Sequence, residues 1–344
     1  MNESSSEGSK DTLPPWLEDL CSRLLAMPAH ALLLHGASGL GQYDLALCVA
    51  QAWLCEAPER QTHEKACGQC ASCNQVHSRG HTDLVVLMPE TLMLELGWPL
   101  SEKAQKEIDE KKRKPSKEIK IEAVRDAVQF AELTSGRGRG KAILVYPAEA
   151  MNHAAANALL KTLEEPLGSL RFVLATEAAH ALLPTIRSRC QANALPEPKA
   201  DVALAWLAAK QPAADAGQLQ TALRASGNRP LDALNSIALH AVLAWDMLPK
   251  AMQKGQIQGV SGLGGAELLD AQQKLCHDLW AVKLGAQPRF YAAQDLPKPP
   301  PARALSVWSE QLCNLSRRIE HPFKAELLIE DMVQQAKLCL NSRS

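Results

Sequence analysis

The chain has almost no net charge. Its 37 lysines and arginines oppose 38 aspartates and glutamates, leaving a formal charge of -1 over 344 residues. That balance excludes a protein whose main business is coating nucleic acid, although a local basic patch is still allowed. Aromatic residues make up only 4%, a poor supply for a surface that stacks bases. No run of 18 uncharged apolar residues is present, so no membrane span is expected. The opening MNESSSEGSKDT lacks the charged-then-apolar pattern of an export signal. Residues 1–12 are therefore expected to be disordered and the protein cytoplasmic. In that reducing setting the ten cysteines read as thiols or metal ligands rather than disulfides.

A sharper absence lies in residues 31–46, ALLLHGASGLGQYDLA. An apolar run ends at Gly36, Gly39 and Gly41 follow, and a helix-forming segment begins at once. This is the setting of a phosphate-cradling loop, G-x-x-x-x-G-K-[ST]. The lysine place holds Gln42, which brings no charge, and the magnesium-binding hydroxyl place holds Tyr43. Backbone amides near Gly39 and Gly41 still offer an anion cradle at a helix start, so nucleotide binding is left open while efficient hydrolysis is not expected. The next parts of such a machine are also missing. Acids that hold magnesium and polarise water belong at the end of the strand AILVY, where the sequence reads Tyr146-Pro147-Ala148. Glu149 follows, out of register.

What is present alternates strand and helix as far as about Ala194. Buried strands are expected at Ala31 to Leu34, in TDLVVLMPE, in KAILVY and in LRFVLATE, with helices between them. That order implies a parallel α/β sheet covered on both faces. The expected layout is an α/β domain over 13–195, a small helical domain over 196–240 after the linker LPEPKAD, and a larger helical domain over 241–344. Residues 101–118, SEKAQKEIDEKKRKPSKE, interleave acids and bases and read as a solvated helix or flexible insert.

Cys55, Cys67, Cys70 and Cys73 form a C-x11-C-x2-C-x2-C array over 55–73. Paired C-x2-C turns converge two thiolates on one cation, and four soft ligands suit tetrahedral zinc with no open position, hence a structural ion. The first ligand is the open choice. Cys48 lies on the same helix as Cys55, and His63, His77 and His81 are near in sequence.

Taken in order, HALLLHGASGLGQ, CGQCASC, IKIEAVRDAV, NALLKTLEEP and LPTIRSRCQ closely resemble the delta-prime family of bacterial DNA polymerase III clamp-loader subunits, from about Pro14 to Gln191. The resemblance implies an AAA+ domain carrying an inserted zinc module, then a helical lid, then an all-α collar domain that joins a five-subunit ring. It also implies a degenerate phosphate loop (Gly36, Gly39, Gly41, Gln42) that does not hydrolyse ATP. Within Ser188-Arg189-Cys190 it assigns Arg189 as an arginine finger, acting on the ATP of a neighbouring subunit. The partners it implies are the gamma and tau ATPase subunits, the clamp-opening delta subunit, the sliding clamp and primed DNA. On the residues alone, Arg189 equally suits a helix cap or a pair with an acid. Glu164 and Glu165 point about 100° apart on a helix and read as surface or interface charges rather than a catalytic pair. Arg229 lies where a nucleotide-sensing arginine would sit on a lid. The competing readings are a weak ATPase using Gln42 and a displaced acid, and a zinc-dependent nucleic-acid-binding module touching phosphates through SGRGRGK (Ser135 to Lys141).

Overall fold

The computed structural model describes residues 13–58, 64–242, 245–257, 263–319 and 325–342. The expected disordered tail, 1–12, lies outside them, as does His63. The chain divides into two compact units between Glu197 and Pro198.

The first unit begins with α1 (Glu18–Ala26), β1 (Ala31–His35), α2 (Gln42–Leu54) and α3 (Ala71–His77). Next come β2 (Leu84–Leu87), α4 (Glu90–Glu95), α5 (Glu102–Asp109) and α6 (Ile121–Glu132). It closes with β3 (Lys141–Val145), α7 (His153–Glu164), β4 (Leu170–Thr176), α8 (Pro184–Arg187) and β5 (Gln191–Ala194). All five strands are parallel, in the order β2-β3-β4-β1-β5. This is the parallel α/β sheet expected, with one strand more than the sequence suggests. The fifth, QANA, is mostly exposed and carries no apolar alternation to announce it; pairing of Leu32 to His35 with Gln191 to Ala194 makes it an edge.

Strand side chains alternate between two cores, as the pleat requires. Leu32, Leu34, Ala142, Leu144, Val173 and Ala175 pack on one side with α1 and α2. Ala31, Leu33, Ile143, Val145, Phe172 and Leu174 pack on the other with α6 and α7. The charged insert is partly ordered onto this body. Ser101 caps α5 by accepting from Ala104 N, and Arg113 bonds both Glu107 and Glu90, at 2.8 Å each. Glu90 also accepts from Ser116 N at 2.8 Å, which closes the segment back on the start of α4.

The second unit is helical: α9 (Ala200–Lys210), α10 (Ala216–Ala225), α11 (Pro230–Val242), α12 (Leu248–Lys254), α13 (Gly265–Lys283), α14 (Ala302–Ser316) and α15 (Ala325–Leu340). It holds two cores. Leu207, Leu219, Ala222 and Leu223 centre one among α9 to α11; Leu275, Leu279, Trp308 and Val333 centre the other among α12 to α15. Buried Asp278 fastens the turn after α13, accepting from Arg289 N, Phe290 N and Tyr291 N at 2.8–2.9 Å.

Candidate functional site

The glycine loop stands where the pattern places it, between β1 and α2. Gly39 and Gly41 have φ of +71° and +97°, conformations that disfavour any side chain. At Gly41 a Cβ would also come within 2.9 Å of the Leu17 side chain. The Trp16 indole covers the loop by donating to Leu40 O at 2.9 Å. Gln42 is buried and turns inward. Its amide donates to the carbonyls of Gly36 (3.1 Å) and Ala37, so the side chain in the lysine place ties the loop to itself.

The residues at the hydroxyl and acid places of the expected pattern meet. Tyr43 and Tyr146 have ring centroids 5.6 Å apart at 33°. Tyr43 Oη accepts from Trp98 Nε1 at 2.7 Å, and Tyr146 Oη donates to Glu177 at 2.9 Å. Burial, followed by the nearby Glu177 carboxylate, pushes the Tyr146 phenol far above its ordinary range. The pair offers two neutral phenols and no carboxylate, a poor donor set for a hard divalent cation. Glu149, the displaced acid, spends one carboxylate oxygen on the backbone N–H groups of Glu177 (2.9 Å) and Ala178 (3.0 Å), capping the turn after β4.

Arg189 sits between α8 and β5, beyond the opposite end of the sheet. Its guanidinium bonds Glu164, at the end of α7, and donates to Thr185 O at 2.8 Å. Ser188 Oγ bonds Thr185 O at 3.1 Å. Cys190 packs against the core, and burial raises its thiol to about 12. In the second unit, Arg229 bonds Ser226 O at 2.7 Å and pairs with Asp232 at 3.2 Å, at the start of α11.

Cys55, Cys67, Cys70 and Cys73 bring their four sulfurs within 4.8 Å of one another. Two of the separations, Cys55 to Cys70 and Cys67 to Cys73, are 3.9 Å, close to the edge of roughly 3.8 Å for a tetrahedron with 2.3 Å zinc–sulfur bonds. Backbone N–H groups point at the sulfurs: Cys67 N at Cys55 (3.4 Å), Gln69 N and Cys70 N at Cys67 (3.5 and 3.3 Å), and Cys73 N at Cys70 (3.4 Å). Those from Gln69 and Cys70 hold the Cys67 thiol down to about 6. Burial drives Cys73 the other way, a penalty that a bound cation removes. The residues therefore fit a four-thiolate metal site. Cys48 is not part of it; its sulfur lies 3.5 Å from that of Cys21. His77 bonds Gln51.

His81 instead builds a buried polar joint beneath the cluster. Ser72 Oγ donates to Leu54 O at 2.6 Å and sits 2.7 Å from His81 Nε2, while His81 Nδ1 accepts from Asp83 N at 3.0 Å. Asp83 in turn gathers Ser135 Oγ, Gly136 N and Arg137 N at 2.8–2.9 Å. Arg137 pairs with Glu56, and buried Lys141 donates to Phe130 O. Within SGRGRGK, Arg137 thus ties the segment to Glu56 beside the cysteine module, while Lys141 turns inward onto α6.

Residues 25–199 match the protein family described as "DNA polymerase III, delta subunit". The chain belongs to that family. Curated relatives are DNA polymerase III subunits delta'. The one from Pseudomonas aeruginosa is 39% identical over 221 residues, covering 64% of this chain and 60% of that protein. Those from Haemophilus influenzae and Escherichia coli are each 32% identical, covering 65% and 64% of this chain and 62% and 59% of their own lengths. The chain thus spans about three fifths of the length of these relatives. Among the described residues, no helix is long and apolar enough to cross a membrane.

Proposed function

We propose that this chain is a non-hydrolysing subunit of the DNA polymerase III clamp loader. It acts as a stator: it positions neighbouring ATPase subunits and supplies Arg189 in trans to the ATP that one of them holds. A guanidinium there offers a two-pronged donor to γ-phosphate oxygens and stabilises charge in the transition state. The observation that supports the reading is the joint replacement of lysine, hydroxyl and acid by Gln42, Tyr43 and Tyr146, with Gln42 turned onto the loop carbonyls and the two tyrosine rings in contact.

In this reading the partners are the gamma and tau ATPase subunits and the clamp-opening delta subunit. The sliding clamp and primed DNA are engaged through the complex, in the cytoplasm. Residues 196–240 serve as lid and 241–344 as the collar that holds the ring. Cys55, Cys67, Cys70 and Cys73 hold a structural zinc, which fixes the module between α2 and α3 and takes no part in nucleotide chemistry. The test is reconstitution with the ATPase and clamp-opening subunits. The chain is expected to complete a five-subunit assembly whose DNA-stimulated ATP hydrolysis falls on Arg189→Ala. Failure to assemble, or unchanged turnover, defeats the proposal. Turnover of order 1 per second by the isolated chain would favour a weak ATPase instead.

A further inference from the structure

Arg189 does not stand free in solvent. Nε and one terminal nitrogen bond the same Glu164 oxygen; the other terminal nitrogen bonds Thr185 O at 2.8 Å and lies 3.4 Å from Ser188 Oγ. All three guanidinium nitrogens are therefore engaged within the chain. The acid is oddly placed. Glu164 is the last residue of α7, with Glu165 as its cap, at the helix end where unpaired carbonyls already concentrate negative charge. Two acids there work against the helix, and the local field draws in a cation. The pair borders an open hollow of about 440 Å³ walled by His30, Leu163, Glu164, Ser188 and Arg189. Its two side chains remain 32% and 44% exposed. The contact is formed, yet a partner can reach it.

We infer that Glu164 is a latch on Arg189. It folds the arginine back against its own helix and yields it when a more highly charged oxyanion, the terminal phosphate of a nucleotide on an adjoining chain, comes within reach. This rests on the reading of Arg189 as an arginine finger. A carboxylate and a phosphate compete for one guanidinium fork. A partly exposed ion pair biases such an equilibrium only a few-fold, so it keeps the arm folded in the free chain and gives way to a polyphosphate. Glu164 is then a positioning residue that never touches the nucleotide. It lowers the basal rate of any neighbour whose phosphates are not yet seated.

The test uses Glu164→Gln, with Glu164→Asp as the charge-retaining comparison. In the isolated full chain, modification of Arg189 by phenylglyoxal is followed by peptide mass spectrometry, with exposed Arg187 as internal reference. Removing the latch is expected to speed modification of Arg189 about two- to fivefold, the range of a partly exposed ion pair, with Arg187 unchanged and the Asp variant in between. In the reconstituted loader, DNA-independent turnover is expected to rise by a similar factor and to become less sensitive to salt. A merely structural surface pair would not raise turnover. Unchanged modification in Glu164→Gln overturns the latch, and so does faster modification with unaltered basal turnover. If Arg189→Ala leaves turnover untouched, the finger reading falls; the modification arm still decides whether Glu164 holds the side chain.

Discussion

Tyr43 and Tyr146 pack with ring centroids 5.6 Å apart, so the two positions that would hold magnesium in an active relative of this fold are filled by one aromatic contact. Each ring is also fixed at its hydroxyl, Tyr43 by Trp98 and Tyr146 by Glu177. Returning either position alone to a magnesium-binding residue leaves the other ring, and its hydroxyl partner, in place.

Replacing Gln42 and Tyr43 together by Lys and Thr is accordingly expected to leave the isolated chain without magnesium-dependent ATP hydrolysis, because Tyr146 still stands where an acid is needed. A coupled-enzyme assay with and without magnesium checks this. Turnover above background in the double variant would mean that Glu149 leaves the Glu177 and Ala178 amides to serve as the acid.

Tyr43→Phe keeps the ring contact and removes only the oxygen that accepts from Trp98. Trp98 is just 6% exposed, and a buried N–H without a partner costs about 1–3 kcal/mol. Urea unfolding is expected to register a loss in that range, with Tyr146→Phe costing less because the partner of its hydroxyl, Glu177, is exposed.

Protein purified without a tag is expected to carry close to one zinc per chain. Fewer than about 0.2 would sink the site, because a closed four-thiolate site holds its metal firmly. Cys67→Ala is expected to lose both the ion and the fixed arrangement of α3, whereas Cys48→Ala is expected to retain the metal.

Burial alone would raise the Asp83 carboxyl. The donors Gly136 N, Ser135 Oγ and Arg137 N outweigh that and hold it below the ordinary carboxylate range. A carboxylate depressed on folding contributes stability above its unfolded pKa of about 4, and that stability is lost as pH falls through the folded value. The stability gap between the wild type and Asp83→Asn is therefore expected to stay constant from about pH 7 to 5 and to close below about pH 4. Denaturant midpoints across that range decide it; a gap that widens in acid would contradict the assignment.

Asp278→Ala in the second unit leaves three N–H groups of the Arg289–Tyr291 turn without their acceptor. A loss of about 3 kcal/mol or more is expected, read by thermal unfolding. A near-neutral result would mean that water replaces the carboxylate.

Much of this was legible from local pattern. The apolar run before Gly36 announced β1, Gln42 and Tyr43 announced a changed loop, and the C-x2-C-x2-C spacing announced the cluster. Cys55, rather than Cys48, completes the four sulfurs because it stands where the helix ends and the chain turns back. What escaped depends on residues far apart in sequence. QANA has no alternation, so only its backbone pairing with β1 makes it a strand. The absence of an acid at Tyr146 was readable, whereas its contact with Tyr43 was not. Arg137 and Lys141 looked free for phosphate because nothing local declares that Asp83 and Phe130 claim that segment. Glu164 read as a surface charge, and its partner lies 25 residues further along the chain.

β1 runs from beside Arg189, near His30, to the glycine loop at Gly36. At about 3.3 Å per residue the two ends stand roughly 20 Å apart. In the function proposed above, the domain is thus polar in the manner of a magnet: a donor at one end, a socket without its magnesium ligands at the other. Identical active subunits stacked head to tail would repeat without limit or close on themselves. In the assembly proposed above, a chain of this kind serves the neighbour on its donor side and offers nothing to a donor arriving at its socket. In that assembly, one such molecule sets where the series of working ATP sites stops.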